Sequence, residues 1–320
     1  MRAFLLLALW VLLTTFTPRL PPRREAPPAI SWIALEPVVI DPTAPGRTRF
    51  GGLRFLGGWS LASNDPRFGG LSALHVEGRD VLAFSDAGWR VHFPVPVGGR
   101  GKVRAQIGLL PDGPGASGGK SGRDVESMWV EGASLWLGLE RRNAIWRFDR
   151  ASGRATSDAE PAAMARWPKN RGPEAMLRLR DGRFLVFAEG KGEGGEVILF
   201  AGDPAVPGTP AKTLRYLPPA HYRTTDAALL PDGHALILNR RWTLLQGFTS
   251  KLTLVDLAGV RAGAVLRGRE IADFRPPLLS DNFEGLSVTR EGGRTIVWMT
   301  SDDNYVPLQR TLLLKFAFAG

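Results

Sequence analysis

Short apolar or alternating runs recur from about Ser31 to the end of the chain, each closed by Gly, Pro, Asp or Asn. SALHVEG, DVLAFSD, SLWLGLE, AIWRFDR, FLVFAEG, GEVILFAG, HALILNR, KLTLVDL, TIVWMTS and TLLLKFAFA all read as strands bounded by turn formers. No segment in this region carries the 3.6-residue periodicity of an amphipathic helix. The pattern predicts an all-β domain.

The runs pair into hairpins of one design: polar residue, strand, Gly-containing turn, strand, polar residue. Ser72 and Asp86 are fourteen residues apart, as are Glu126 and Glu140, and Asp226 and Arg240. Glu174 and Glu189 are fifteen apart, Glu284 and Asp302 eighteen. The hairpins start at 72, 126, 174, 226 and 284, in steps of 54, 48, 52 and 58. A period near fifty belongs to the four-stranded blades of a β-propeller. Further strands follow most hairpins, such as AIWRFD after Glu140 and KLTLVDL with AVLRGREI after Arg240. Only TLLLKFAFA follows the last, so a strand within Arg47–Leu61 is expected to complete that blade and close the ring, removing exposed edges. This counts five blades and leaves a sixth open in residues 31–68.

In an antiparallel hairpin the first residue of one strand sits beside the last of its partner. The five polar pairs are therefore expected to converge on one rim of the central channel. Crowded carboxylates in such a place repel one another unless a cation neutralises them. The plainer alternative is that they cap the ends of blades.

Composition narrows the chemistry. The 320 residues contain no cysteine, which excludes disulfides and thiolate chemistry, and only four histidines, with no His-rich metal spacing. The net charge of +10 comes from arginines scattered over turns and strand ends, and no recognition helix or basic-aromatic motif points to nucleic acid. Arg2 precedes an apolar stretch from Ala3 to Phe16, which has the length of a secretory h-region and is short for a membrane span. The expected division is a signal peptide or N-terminal anchor over 1–17, a Pro-rich linker over 18–30 and the propeller over 31–320. The expected location is the periplasm or the exterior, with anchoring by residues 3–16 the only membrane contact, and the expected state is a monomer.

Two glycine-rich motifs fail on context. GPGASGGKSG (113–122) has Pro114 where a phosphate loop needs glycine and is expected to lead straight into the strand DVESMWV. GKGEGG (190–195) is followed by EVILF, without the helix of a dinucleotide site. SDDNYVPLQRT (301–311) offers hard oxygen donors in Asp302, Asp303 and Asn304.

Five ordered motifs then carry a family resemblance: GGLSAL…FSDAG, DVESMWVEGASLWLGLERRNAIWRFD, NRGPEAMLRLRDGRFLVFAEG, TTDAALLPDGHALILNRRW and DNFEGLSVTREGGRTIVWMTSDDN. Together they resemble the phytase-like β-propeller family labelled "esterase-like activity of phytase", over roughly residues 50–318. The resemblance implies metal-assisted hydrolysis of a phosphate or other ester. Glu126, Glu174, Glu284 and Asp302 are then the expected ligands of one or more Ca²⁺ ions. Glu140 or Glu189 is the expected base, and Arg240 is expected to steady an anionic group. Asp86, Asp226, Arg241 and Asn304 are expected to contact a small anionic or ester substrate. Two other readings remain open: a non-catalytic binding or scaffold propeller, and a lactonase-like Ca²⁺-dependent propeller acting on neutral cyclic esters. DAALL at 226–230 and PEAM at 173–176 depart from the commoner Gly-Leu after the acid.

Overall fold

The computed structural model describes residues 29–115, 120–190 and 194–319. The signal-like segment 1–17 and linker residues 18–28 lie outside them, as do the centres of both glycine-rich motifs. Three strands come first: β1 (Ser31–Pro37), β2 (Arg49–Phe50) and β3 (Leu53–Ser63). Four-stranded antiparallel runs follow. The first is β4 (Leu71–Glu77), β5 (Asp80–Ser85), β6 (Arg90–Pro94) and β7 (Gly101–Gly108). The second is β8 (Val125–Glu131), β9 (Ser134–Leu139), β10 (Ala144–Asp149) and β11 (Ala155–Ala159). The third is β12 (Pro173–Arg178), β13 (Phe184–Ala188), β14 (Gly195–Phe200) and β15 (Ala211–Leu217). The fourth is β16 (Arg223–Leu229), β17 (Ala235–Thr243), β18 (Gly247–Val255) and β19 (Val265–Phe274). β20 (Phe283–Glu291), β21 (Arg294–Ser301) and β22 (Thr311–Phe318) complete the chain.

The ring closes as the pattern predicts. β3 pairs antiparallel with β22 from Leu53↔Phe318 to Leu61↔Thr311, giving the last blade its fourth strand. The inner strands β4, β8, β12, β16 and β20 stand side by side, and β20 returns to β4. Residues 31–68 build no four-stranded unit of their own. Instead β1 pairs with both β3 and β7, joining the outer edges of the last and first blades. β15 pairs in parallel with β19 and joins the third and fourth.

The apolar runs follow from this packing. β12 and β13 are buried along almost their whole length because a neighbouring blade covers each face. The outer strand β7 alternates between exposed and half-buried positions, as its one-sided packing requires. Each blade boundary has its own apolar core: Phe84 with Leu137, Trp136 with Phe184, Phe187 with Ile237, Phe274 with Phe283, and Trp298 with Leu74. Burial of each such side chain contributes roughly 1.5–3 kcal/mol, so the ring is held by its boundaries. The glycine loop before β8 ends in one helical turn, Lys120–Arg123, rather than leading straight into the strand.

Candidate functional site at the channel rim

A β-bulge sits at the same place in every inner hairpin. Leu71 pairs with Ser85 and Ala73 with Phe84, so Ser72 has no residue opposite. Glu126, Glu174, Thr225 and Glu284 are skipped in the same way. A bulge breaks the alternation of a strand and re-aims the extra side chain. This lets three glutamates stand in otherwise apolar inner strands.

The register corrects one expected member of the ring. Thr225, not Asp226, occupies the bulge of the fourth blade. Asp226 stands one position further on, level with Ala73, Ser127, Ala175 and Gly285, and it is almost fully buried. Its Oδ1 accepts the Ala227 N–H at 2.7 Å and its Oδ2 accepts the Leu286 N–H of the next blade at 2.6 Å. Asp226 therefore ties two blades together instead of facing a substrate. The two hydroxyl members of the ring do similar work. Ser72 Oγ donates to the Val125 carbonyl at 2.5 Å, and Thr225 Oγ1 to the Phe283 carbonyl at 3.3 Å.

In three hairpins the second residue of the pair bonds back to the entry of its own inner strand. The N–H groups of Asp86, Glu140 and Asp302 donate to the carbonyls of Gly70, Asp124 and Asn282, each at 2.9 Å. These three acceptors stand two residues before their bulges. The same position is Gly172 in the third blade and Arg223 in the fourth. A row of five positions thus lies beyond the pairs that the sequence pattern marked, and three of them carry polar or charged side chains, Asp124, Arg223 and Asn282.

One blade supplies an acidic cluster. Asp124, Glu126 and Glu140 each bring a carboxylate oxygen within 4.8 Å of the others. Asp124 is buried and accepts Arg141 Nε at 2.8 Å. Glu126 keeps some contact with water, but protein surrounds it; burial and then the charges of Glu174 and Asp124 push its carboxyl well above the ordinary range. Burial first, and then Asp124, push Glu140 up to about 7, against the opposing hydrogen bond of the Gly172 N–H. Gly172 approaches so closely that a Cβ there would lie 2.5 Å from the Glu140 Cα.

The opposite sector is neutralised. Arg240 binds Glu284 and donates to Asn282 Oδ1 at 2.5 Å. Arg223 Nη1 reaches both oxygens of Glu189, at 3.0 and 3.1 Å. Asn282 Nδ2 bridges Glu284 at 3.1 Å and Asp302 at 3.3 Å. Glu174, 7% exposed, is raised by burial and then by Glu189 and Glu140; Asp302 is raised by burial and then by Glu284 and Asp86. A cavity of about 410 Å³ opens here, with Arg223, Arg240, Arg241, Trp242, Asn282 and Asn304 in its wall. In the first blade Gly70 is left-handed (φ +63°), and a Cβ there would lie 2.8 Å from an Asp86 carboxylate oxygen.

Of the four expected metal ligands, Glu126 alone belongs to the cluster of converging carboxylates, joined by Glu140 and by Asp124, which lies outside the pairing pattern. Glu174, Glu284 and Asp302 lie outside that cluster. Arg240, Arg241 and Asn304 share one cavity wall. Aligning the five hairpins two residues further back brings in Asp124, Arg223 and Asn282. Asn304 and Tyr305 are both left-handed (φ 48° and 52°), an uncommon backbone for two consecutive non-glycine residues and one that concentrates at functional sites.

A comparison with curated proteins returned no match. Among solved structures, the PQQ-bound aldose sugar dehydrogenase of Streptomyces coelicolor is similar with 12% identity and a TM-score of 0.44, covering 91% of this chain and 99% of that one. The Cps50 (Swd1) β-propeller domain of Myceliophteria thermophila follows with 9% identity and a TM-score of 0.41, over 89% and 99%. Hydrazine synthase of Kuenenia stuttgartiensis gives 11% identity and a TM-score of 0.37; the match covers 75% of this chain and spans 58% of that one. The family profile described as "Phytase-like: Esterase-like activity of phytase" matches residues 66–305, three-quarters of the sequence and all five inner hairpins. The chain belongs to this phytase-like family.

Proposed function

We propose that the protein is a metal-assisted hydrolase of phosphoesters or other esters, acting at the channel mouth after export. The observation that carries this reading is the convergence of Asp124, Glu126 and Glu140 within 4.8 Å, with Arg141 paired to Asp124 at 2.8 Å. Three hard carboxylates at this spacing suit Ca²⁺ or Mg²⁺. A bound divalent cation would polarise an ester oxygen and acidify a coordinated water.

The chain's own residues supply the rest. Arg240 is anchored by Glu284 and Asn282, so its guanidinium is already oriented before an anionic group arrives. Arg241 lies in the same wall, with its guanidinium 5.1 Å from the Tyr222 ring centroid. Glu189 gives both oxygens to Arg223, which leaves Glu140 better placed to take a proton. Glu174, whose carboxyl is raised by burial and by neighbouring carboxylates, is suited to donate one.

The test is hydrolysis of p-nitrophenyl phosphate and p-nitrophenyl acetate with CaCl₂ and with a chelator. Activity that needs the cation and falls in Glu126→Gln is expected. Hydrolysis unchanged by chelation would defeat the metal mechanism, and no hydrolysis of either substrate would favour a binding propeller.

A further inference from the structure

We propose that the rim face rests on a bilayer of anionic phospholipid, with the β17–β18 tip among the headgroups. The fourth blade overruns its neighbours. β16 pairs with β17 only as far as Arg223↔Arg240, whereas β17 and β18 continue through Arg241↔Thr249, Trp242↔Phe248 and Thr243↔Gly247. Three further residue pairs make a two-stranded finger that stands about 10 Å proud of the rim.

Its tip is apolar. Leu244 is 72% exposed and Leu245 96%, with Trp242 at 42% below them. Among the described residues these leucines are the only consecutive large apolar residues left exposed. Scattered exposed leucines need no explanation, but a paired apolar tip on a projecting finger does. Leu308, 73% exposed, belongs to the adjoining rim loop, whose Asn304 shares a cavity wall with Trp242. An amphipathic tryptophan beneath a leucine tip is the arrangement favoured at a membrane interface.

Charge and connectivity select the same face. Arginines stand outside the rim acids: Arg141 on Asp124, Arg223 on Glu189 and Arg310 on Asp281, with side chains 43–50% exposed. This collar complements anionic headgroups, while the acids sit inside the mouth. The chain also enters the fold here. β1 begins at Ser31, whose Oγ donates to Asp65, and Asn64 Nδ2 donates to the Ile30 carbonyl. That loop leads to Gly70, whose N–H meets the rim residue Asp303 at 2.9 Å. The apolar run 3–16 precedes this entry in the sequence, separated from it by the Pro-rich residues 17–30. A chain held by that run would present the rim, and not the hairpin turns, to the bilayer.

The full-length chain is reconstituted into 3:1 phosphatidylcholine–phosphatidylglycerol vesicles containing brominated lipid, and tryptophan quenching is compared with that of Trp242→Phe. The other nine tryptophans are common to both proteins, so the difference reports residue 242 alone. A quenched Trp242 component is expected, weaker in pure phosphatidylcholine and lost in L244S/L245S at an unchanged melting temperature. Equal quenching in wild type and Trp242→Phe would overturn the proposal. So would a Trp242 component that persists in L244S/L245S, or a dimer that this double variant dissociates, since the tip would then be a contact between copies.

Discussion

Arg240 reaches across the boundary between the fourth and fifth blades to bind Glu284, with both side chains less than one-fifth exposed. Glu189, Glu174 and Asp302 also act on it, so one guanidinium serves several carboxylates. Removing it leaves Glu284 partly desolvated and without its cation, while Glu189 keeps Arg223. Arg240→Ala is predicted to cost about 3 kcal/mol of stability, in the lower part of the range for breaking a buried pair. Glu284→Gln should cost less, because an amide oxygen can still accept from Arg240. Denaturant titration of the two variants checks this, and equal losses would mean that Arg240 acts only through Glu284.

The rim carboxylates set the pH dependence of stability. The Glu140 carboxyl lies at about 7 instead of its ordinary 4.5, and Glu126, Glu174 and Asp302 are raised as well. A raised folded-state carboxyl means that the native chain binds more protons than the unfolded one, so stability falls as pH rises through this window. In chelator, the melting temperature should drop between about pH 4.5 and pH 7, and millimolar CaCl₂ should flatten the fall. A melting temperature that is flat or rising with pH in chelator would contradict the charge crowding. Absence of any calcium effect would count against the cation site alone.

The legible part of this molecule was its repetition. Runs such as FLVFA and TIVWMT reveal strands because both faces of an inner strand are buried between blades, and their spacing reveals the closed ring. β1 was not legible, since SWIALEP owes its strand to two outer edges that exist only after the ring has formed. The polar pairs located the rim but not its exact register. Sequence spacing points to Asp226, an acid fourteen residues before Arg240, whereas strand pairing puts the bulge at the Thr225 beside it. Only strand pairing shows which of two adjacent residues is bulged. Asp124 precedes the hairpin, and its approach to Glu140 arises from the backbone bond between them rather than from sequence spacing.

Asp226 and Glu126 should consequently respond in opposite ways to loss of charge. Asp226→Ala removes the acceptor of two backbone N–H groups, one of them in the next blade, and leaves both unsatisfied. A loss of about 2–4 kcal/mol is expected, at roughly 1–2 kcal/mol per unpaired group. Its effect on calcium binding should be no more than the instability explains. Calorimetric titration of the folded variant separates the two, and intact stability would remove Asp226 from its inter-blade role.

Gly172→Ala probes the acidic cluster without changing any charge. The new Cβ would lie 2.5 Å from the Glu140 Cα and 2.9 Å from its carbonyl oxygen, contacts that the backbone must move to relieve. Overpacking of this kind costs about 1–3 kcal/mol. It should also shift Glu140 away from Asp124 and Glu126, lowering calcium affinity by tenfold or more at a pH where all three are ionised. A variant that loses stability but keeps its calcium affinity would mean that Glu140 is not a ligand.

Glu126→Gln should make the cation-free protein more stable, not less. Among the described residues no guanidinium acts on Glu126, and the charges of Glu174, Asp124, Glu284 and Glu140 all oppose its ionisation. An amide keeps the shape and removes the repulsion, so the melting temperature in chelator at pH 8 should rise. The same substitution removes a ligand from the cluster, so added calcium should then produce little further stabilisation, whereas wild type gains in proportion to the logarithm of free calcium. Strain of this sort is retained where it serves a site. If Glu126→Gln melts lower than wild type in chelator, Glu126 is held by a favourable contact, and the cluster is a structural cap rather than a cation site.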